Sequence, residues 1–242
     1  MKKKLFFALV LCTAFSATAF AQTNLQIFYD FGKDRKIVTT TLEGFYNDNW
    51  GNTFFFIDYD YNPSRKAEFP DGTYFEIARC FNFWQNTALA PLSLQVEYNG
   101  GVYNKYGINH AILAGVDYFI HSQDFRNTLN LKVLYKDIRN TVERVPLQFT
   151  VVWGMQDLFG AKGLRFSGFA DFWWQDHMLY SDAKGNAMTP QKSRVVFISE
   201  PQIWYNFGTE HFNVGGEVEL SYDFGTCKGF WARPCLGVKW VF

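Results

Sequence analysis

After its first residues the chain has no apolar run long enough to cross a membrane as a helix, which needs roughly 20 residues. It also has no excess of positive charge: 23 Lys and Arg stand against 23 Asp and Glu, so the basic face that a nucleic-acid partner requires is missing. Cysteine is scarce, at four residues, with no CxxC pair and no histidine at ligand spacing, so no metal site is expected. A GxSxG nucleophile elbow is absent, and no Pro/Ser-rich tract divides the chain into domains. These absences leave a single domain without nucleic-acid, metal or cofactor chemistry.

Aromatic residues are abundant. Phe, Tyr and Trp make up 20% of the chain, with 27 Phe, 13 Tyr and 8 Trp, while mean hydropathy is only −0.15. A membrane barrel reconciles the two, because its strands need about 9–11 residues each and keep one polar face. The start of the chain agrees with export. Lys2, Lys3 and Lys4 precede an apolar core from Leu5 to Phe15, and Ala19-Phe20-Ala21 is a small-x-small cleavage site. Residues 1–21 therefore read as a secretory signal and 22–242 as the mature domain. Loss of the three lysines leaves a balance of 20 basic to 23 acidic groups. Cys12 falls within the signal, and no cysteine follows the cut to carry a lipid.

Alternating segments suggest twelve strands: 24–32, 36–47, 52–61, 73–84, 92–104, 108–122, 127–137, 143–153, 164–175, 194–208, 212–224 and 232–242. Ten or fourteen remain open. The expected fold is all-β, a transmembrane antiparallel up-and-down barrel. An even count puts both termini in the periplasm, with turns at 48–51, 85–91, 123–126, 154–163 and 209–211, and places the longest gap, 176–193, outside. The last strand sets Leu236, Val238, Trp240 and Phe242 on one face, and its terminal Phe resembles the sorting signature of outer-membrane barrels. Phe212, Val214, Val218, Leu220 and Tyr222 share one face of their strand, against Asn213, Glu217, Glu219, Ser221 and Asp223. Tyr98, Tyr118, Trp153, Tyr205, Phe207, Tyr222 and Trp240 stand where interfacial girdles belong.

Gly168-Phe169-Ala170-Asp171-Phe172-Trp173-Trp174 resembles the GFxxFxW strand of the nucleoside-specific channel-forming outer-membrane proteins, the Tsx-like porins. Leu158 to Leu164 is similar to the turn before that strand, Glu76-Ile77 with Phe81 to the family's EIxxxF strand, and Asn49-Trp50 to an early turn. The resemblance implies a twelve-stranded barrel that passes nucleosides through a narrow pore with several weak sites.

With the apolar faces toward lipid, the opposite phase projects Phe28, Phe54, Phe56, Phe119, Phe169, Trp173 and Trp204 inward. The inward carboxylates are then Asp30, Glu43, Asp58, Asp60, Glu76, Glu97, Asp117, Asp171, Glu200, Glu217, Glu219 and Asp223, opposed by Lys132, Lys136, Arg165 and Lys239. Aromatic faces stack on bases or sugars, and carboxylates accept from ring nitrogens or hydroxyls. The candidate solute contacts are Phe169, Asp171, Trp173, Phe54, Phe56, Asp58, Glu76, Glu217 and Glu219. The competing reading is a small barrel filled by its own side chains and charge pairs. Arg79 falls on the outward phase and implies a bulge or a place near the interface. Cys227 and Cys235 flank a turn centred near Trp231, which allows a disulfide between them. Asp176-His177, in the longest gap, is an acid and histidine neighbour pair.

The expected function is passive diffusion of small polar solutes through the outer membrane, with nucleosides foremost, no cofactor, no catalysis, and a monomer rather than a trimer among outer-membrane lipids. A structural or ligand-binding barrel without conductance is the alternative, and a membrane hydrolase a further one.

Overall fold

Side-chain alternation becomes a closed wall in the computed structural model, which describes residues 21–62, 70–103, 106–141, 145–209 and 211–242. The strands are β1 Ala21–Asp30, β2 Val38–Asp48, β3 Gly51–Tyr61, β4 Gly72–Phe81, β5 Leu92–Tyr103, β6 Tyr106–His121 and β7 Asn127–Ile138. They continue as β8 Leu147–Gln156, β9 Leu164–Ser181, β10 Ala187–Ser199, β11 Gln202–Asn206, β12 Phe212–Tyr222 and β13 Phe230–Val241. Each pairs antiparallel with its neighbours, and β13 pairs with both β12 and β1, so the sheet has no free edge. In a membrane that closure is obligatory, because an unpaired strand edge has no water to satisfy it.

β10 and β11 are two parts of one stave, since both pair with β9 on one side and β12 on the other. The wall is therefore a twelve-stranded antiparallel barrel. Glu200-Pro201 interrupts this stave, as proline has no amide hydrogen for the ladder. Opposite the break stands Gly168, at φ 151°, where an added Cβ would lie 2.4 Å from the Glu200 carbonyl oxygen. The glycine of the 168–174 motif thus lets β9 pass close to the kink. Residues 1–20, which hold most of the expected signal, lie outside the described residues.

One boundary differs materially from expectation. The gap at 176–193 is not an external loop: β9 runs to Ser181 and β10 begins at Ala187, leaving a turn at 182–186. Gly185 at φ 83° and Asp182 Oδ1, which accepts from the Lys184 and Asn186 amides, close that turn. Two register shifts in β10, between Ala187 and Gln191 and between Ser193 and Val195, explain why its alternation is obscured in the sequence.

Lipid replaces water as the solvent of the outer face, so the usual burial pattern inverts. Leu25, Ile27, Leu94, Val96, Ile112, Val133, Ile203, Val238 and Trp240 are exposed, while Asn24, Gln26, Gln95, Asn99, Lys136, Gln148, Glu219 and Arg233 are buried inside. The inward and outward phases match those expected along these strands. Arg79 points outward, but β3 and β4 pair without a bulge. It sits near the turn at 49–50, ion-paired with Asp48 at 2.8 Å and lying over the Phe81 ring. An interfacial position, not a bulge, resolves its cost.

Candidate functional site

The lumen is lined in three levels. At the end away from the termini, the β1–β2 loop turns inward: the Asp30 amide donates to the Ile37 carbonyl at 3.0 Å, and the Phe31 amide to that of Pro234 at 2.9 Å. This brings Asp34 and Arg35 onto buried side chains of β12 and β13. Arg35 pairs with Asp30 at 2.9 Å and with Glu219; Arg233 donates to Glu219 and pairs with Asp34 at 2.7 Å. The Arg233 guanidinium also lies 4.9 Å from the centre of the Trp231 ring. Burial alone would raise the Asp34 carboxyl, but hydrogen bonds and charge from Arg233 hold it below its usual value. For Arg35, burial opposes the charge, and Glu219 and Asp30 more than compensate, so it stays ionised.

Below this mouth, Asp58, Glu76, Glu97, Asp171, Glu200 and Glu217 project inward and are half-buried. Asp58 accepts from Thr41 at 2.5 Å, Glu76 from Tyr74 at 2.6 Å, Glu97 from Gln95 at 2.8 Å, Asp171 from Thr150 at 2.5 Å and Glu217 from Gln202 at 2.8 Å. Asn99 bridges Glu76 and Glu97 at 3.3 and 3.2 Å. The cluster is continuous, as Asp58 lies within electrostatic reach of Glu217 and Glu76, and Glu76 within reach of Lys136 and Lys132. Among the described residues none of the six forms an ion pair; the pairs of the barrel lie at the mouth and at the two rims.

Apolar groups fill part of the same interior. Leu113, Leu134 and Val196 pack with Ala111, Ile138, Ile198 and Trp173, and Phe169 and Phe224 lean on them. Trp173 is only 7% exposed; its indole nitrogen donates to Gln175 at 2.9 Å, and the Lys136 ammonium sits 3.8 Å from its ring centre. Phe28 packs on Trp204 at 5.5 Å, and Lys239 caps that indole at 4.2 Å. Toward the termini, the Cys80 thiol donates to Gln95 at 3.4 Å and to Asp117 at 3.6 Å, and Asp117 accepts from Asn130 at 2.9 Å.

The residues singled out from the sequence thus divide. Phe54, Phe56, Asp58, Glu76, Phe169, Asp171 and Glu217 face accessible lumen. Trp173 is held in the apolar cluster, and Glu219 in the ion network of the mouth. Phe56 bridges Phe54 at 6.1 Å and Tyr74 at 5.9 Å, forming an aromatic strip beside Asp58 and Glu76. Sequence reasoning passed over Tyr74, Asn99 and Gln202, which the period-2 phase does place inward, and Arg233, which shares the phase of Lys239. Asp34 and Arg35 carry no such signal, because a loop has no alternation.

The expected bridge between Cys227 and Cys235 is not formed; both thiols are free, as is that of Cys80. The hairpin turn lies at 223–229, earlier than a turn centred near Trp231, so Cys227 belongs to the turn itself. Cys235 instead stands opposite Glu217 and Asp30. Asp176 and His177 do not act together either. Asp176 pairs with Lys192 at 2.5 Å, whereas the His177 ring nitrogens contact the carbonyl oxygens of Gln175 and Asp223 at 2.9 and 2.7 Å. Among the described residues no group of three or more His, Cys, Asp or Glu side chains is disposed to hold a metal ion.

A family model described as a domain of unknown function, DUF5020, matches residues 21–242, the whole of this barrel. The chain belongs to that family. No curated protein matches this DUF5020 chain in sequence. Among solved structures it is similar to the NanC porin, with a TM-score of 0.55 at 8% identity over 90% of this chain and 98% of that one. Omp33 of Acinetobacter baumannii gives 0.42 at 12% identity over 92% and 97% of the two chains. A BenF-like porin of Pseudomonas fluorescens Pf-5 gives 0.41 at 10% over 90% and 59%. The likeness to the NanC porin bears on fold alone: this DUF5020 domain has the barrel of an outer-membrane porin.

Proposed function

We propose that this barrel is an outer-membrane channel for passive diffusion of small polar solutes, with a preference for neutral hydroxylated or cationic species over anions. The observation that carries the reading is the set of six half-buried lumen carboxylates that, among the described residues, form no ion pairs. A carboxylate held away from water without a counter-charge costs several kcal/mol. Six of them clustered, with Lys132, Lys136, Lys239 and Arg35 within electrostatic reach but not in contact, suit a hydrated path, and the field of those that ionise favours cations within it. The aromatic strip of Phe54, Phe56 and Tyr74 beside Asp58 and Glu76 supplies stacking faces next to acceptors, which suits a nucleoside. The resemblance of the 168–174 strand to nucleoside channels adds support, with Phe169 and Asp171 as solute contacts. On this reading the chain is no enzyme, is cleaved after Ala21, and works as a monomer without a cofactor.

A second reading, a closed structural barrel, is favoured by Leu113 and Leu134, which are fully buried inside the wall, and by the ion-paired mouth. Planar-bilayer recording of the refolded protein in a potassium chloride gradient separates the two. Channels with a cation-selective reversal potential and saturable block by added nucleoside are the expected result. Anion selectivity overturns the charge argument, and a folded barrel that never conducts establishes the closed reading.

A further inference from the structure

The outer wall carries a concavity of about 440 Å³ lined by Tyr98, His110, Ile112, Asp137 and Arg139. We infer that it is a binding site for a phosphorylated glycolipid of the outer leaflet.

Its depth in the membrane can be read along the strands. The outward row of β7 is Leu129, Leu131, Val133, Tyr135, then Asp137, with Arg139 just beyond the strand. From Leu129, which pairs with the girdle residue Trp153, to Asp137 the wall climbs roughly 20 Å, at about 3.4 Å per residue and about 40° of tilt. That is close to the height of an apolar belt. On β6 the outward row passes Ile120, Tyr118, Val116 and Ile112 before reaching His110. Both rows therefore change from apolar to charged or imidazole at the rim away from the termini. With the termini in the periplasm, this rim meets the outer leaflet, so the occupant is a lipid headgroup and not a solute in the lumen.

The shape comes from β5. Its ladder with β6 is irregular between Asn99 and Gly101, where β6 carries one extra residue, and Gly100 has no side chain, so the His110 ring lies over the Gly100 backbone beside Tyr98. A Cβ added at Gly100 would come within 3.1 Å of the His110 Nδ1. The Tyr98 ring stacks on His110 at 5.6 Å, and its hydroxyl contacts the His110 Nδ1.

The chemistry follows from the lining. Arg139 is exposed, and among the described residues it makes no ion pair, so its forked donors are available to a phosphate. Asp137 would repel a bare phosphate but accepts from a sugar hydroxyl or amine. Tyr98, packed between His110 and Phe75, offers its ring edge and hydroxyl to a sugar, and Ile112, 59% exposed, lies where an acyl chain descends. A diacyl phospholipid uses only the cation and the apolar floor; a phosphorylated amino sugar uses all of them.

The test is native mass spectrometry of the detergent-refolded barrel with diphosphoryl lipid A. One lipid A retained per barrel, not displaced by excess phosphatidylglycerol, is expected. Arg139→Gln, shown folded by heat-modifiable gel mobility, should weaken retention about tenfold, as loss of one charge-assisted contact would, and His110→Gln, which removes the ring that Tyr98 packs on, should weaken it as well. Removing the lipid's phosphates should do the same. Equal retention by the two variants overturns the site, and displacement by phosphatidylglycerol reduces it to a generic anionic-lipid contact and overturns the glycolipid assignment. Neither result depends on whether the lumen conducts.

Discussion

The mouth and the middle of the lumen draw on the same residue types and arrange them in opposite ways. At the mouth, Asp30, Asp34 and Glu219 are interleaved with Arg35 and Arg233, and each charge touches one of opposite sign. In the middle, Asp58, Glu76, Glu97, Asp171, Glu200 and Glu217 face one another; Asp58, Glu76, Glu97, Asp171 and Glu217 receive hydrogen bonds from neutral hydroxyls and amides, and none of the six lies at ion-pair distance from a cation among the described residues. Charges neutralised in contact fix a loop and exert little field beyond it. Carboxylates outside ion-pair contact, with Lys132, Lys136 and Lys239 only within electrostatic reach, contribute less to holding the wall together and keep a field in the lumen. The first arrangement belongs to structure, and the second is the one on which the proposed channel function rests.

The largest effect should come from breaking the mouth. Arg233→Met removes the guanidinium shared by Asp34 and Glu219 and leaves Glu219, 5% exposed, short of one partner. Breaking a buried pair from one side costs about 3–5 kcal/mol, and the partial exposure of Asp34 and Arg35 places this variant near the lower figure. Urea unfolding in lipid vesicles measures it. A loss below about 1 kcal/mol would put this network in the class of exposed surface pairs.

The contrasting substitution is Glu217→Gln, which keeps the acceptor for Gln202 and removes one charge. Stability should hardly change. A unit charge about 10 Å from a permeating ion in water-like surroundings is worth about 0.4 kcal/mol, so cation preference should fall roughly twofold. Reversal potentials of the two proteins check this, and an unchanged potential would remove Glu217 from the ion path. Between these extremes lies Phe169→Ala. The ring leans on the apolar cluster yet reaches accessible lumen, so the variant should lose about 2 kcal/mol through the cavity it leaves. Its main effect is expected on nucleoside block of the current. Loss of stability with unaltered block would make Phe169 a packing residue like its neighbour Trp173.

The contrast also separates what could be read from the sequence. Period-2 alternation places a residue on one face or the other, so Asp58, Glu76, Asp171 and Glu217 were assignable to the lumen, and all twelve staves could be counted. It carries no information about what stands across the barrel. Trp173 and Phe169 share a phase, and only the packing of Leu113, Leu134 and Val196 from other strands distinguishes a buried ring from an accessible one. Glu217 and Glu219 likewise alternate identically, yet one accepts from the neutral Gln202 and the other meets two arginines, one of them delivered by a loop. Register shifts erase the signal altogether, as in β10, where the bulges near Gln191 and Val195 made strand look like loop. The cysteine assignment failed for a related reason: turn position, not residue spacing, decides which residues become cross-strand partners.

Cys227 offers the smallest and most local probe of the mouth. Its sulfur lies 3.6 Å from the Arg233 Nη2, inside the 223–229 turn, and it is partly exposed. Cys80 and Cys235 are 3% and 9% exposed. A polar alkylating reagent added to the folded barrel should therefore modify Cys227 alone, with all three thiols of the 22–242 domain reacting after denaturation. If the ion network anchors the turn, Arg233→Met should speed the Cys227 reaction and leave Cys80 protected, because the middle of the lumen is held by other contacts. Equal acceleration at Cys80 would mean that the mouth and the middle loosen together, and the division drawn between them would not hold.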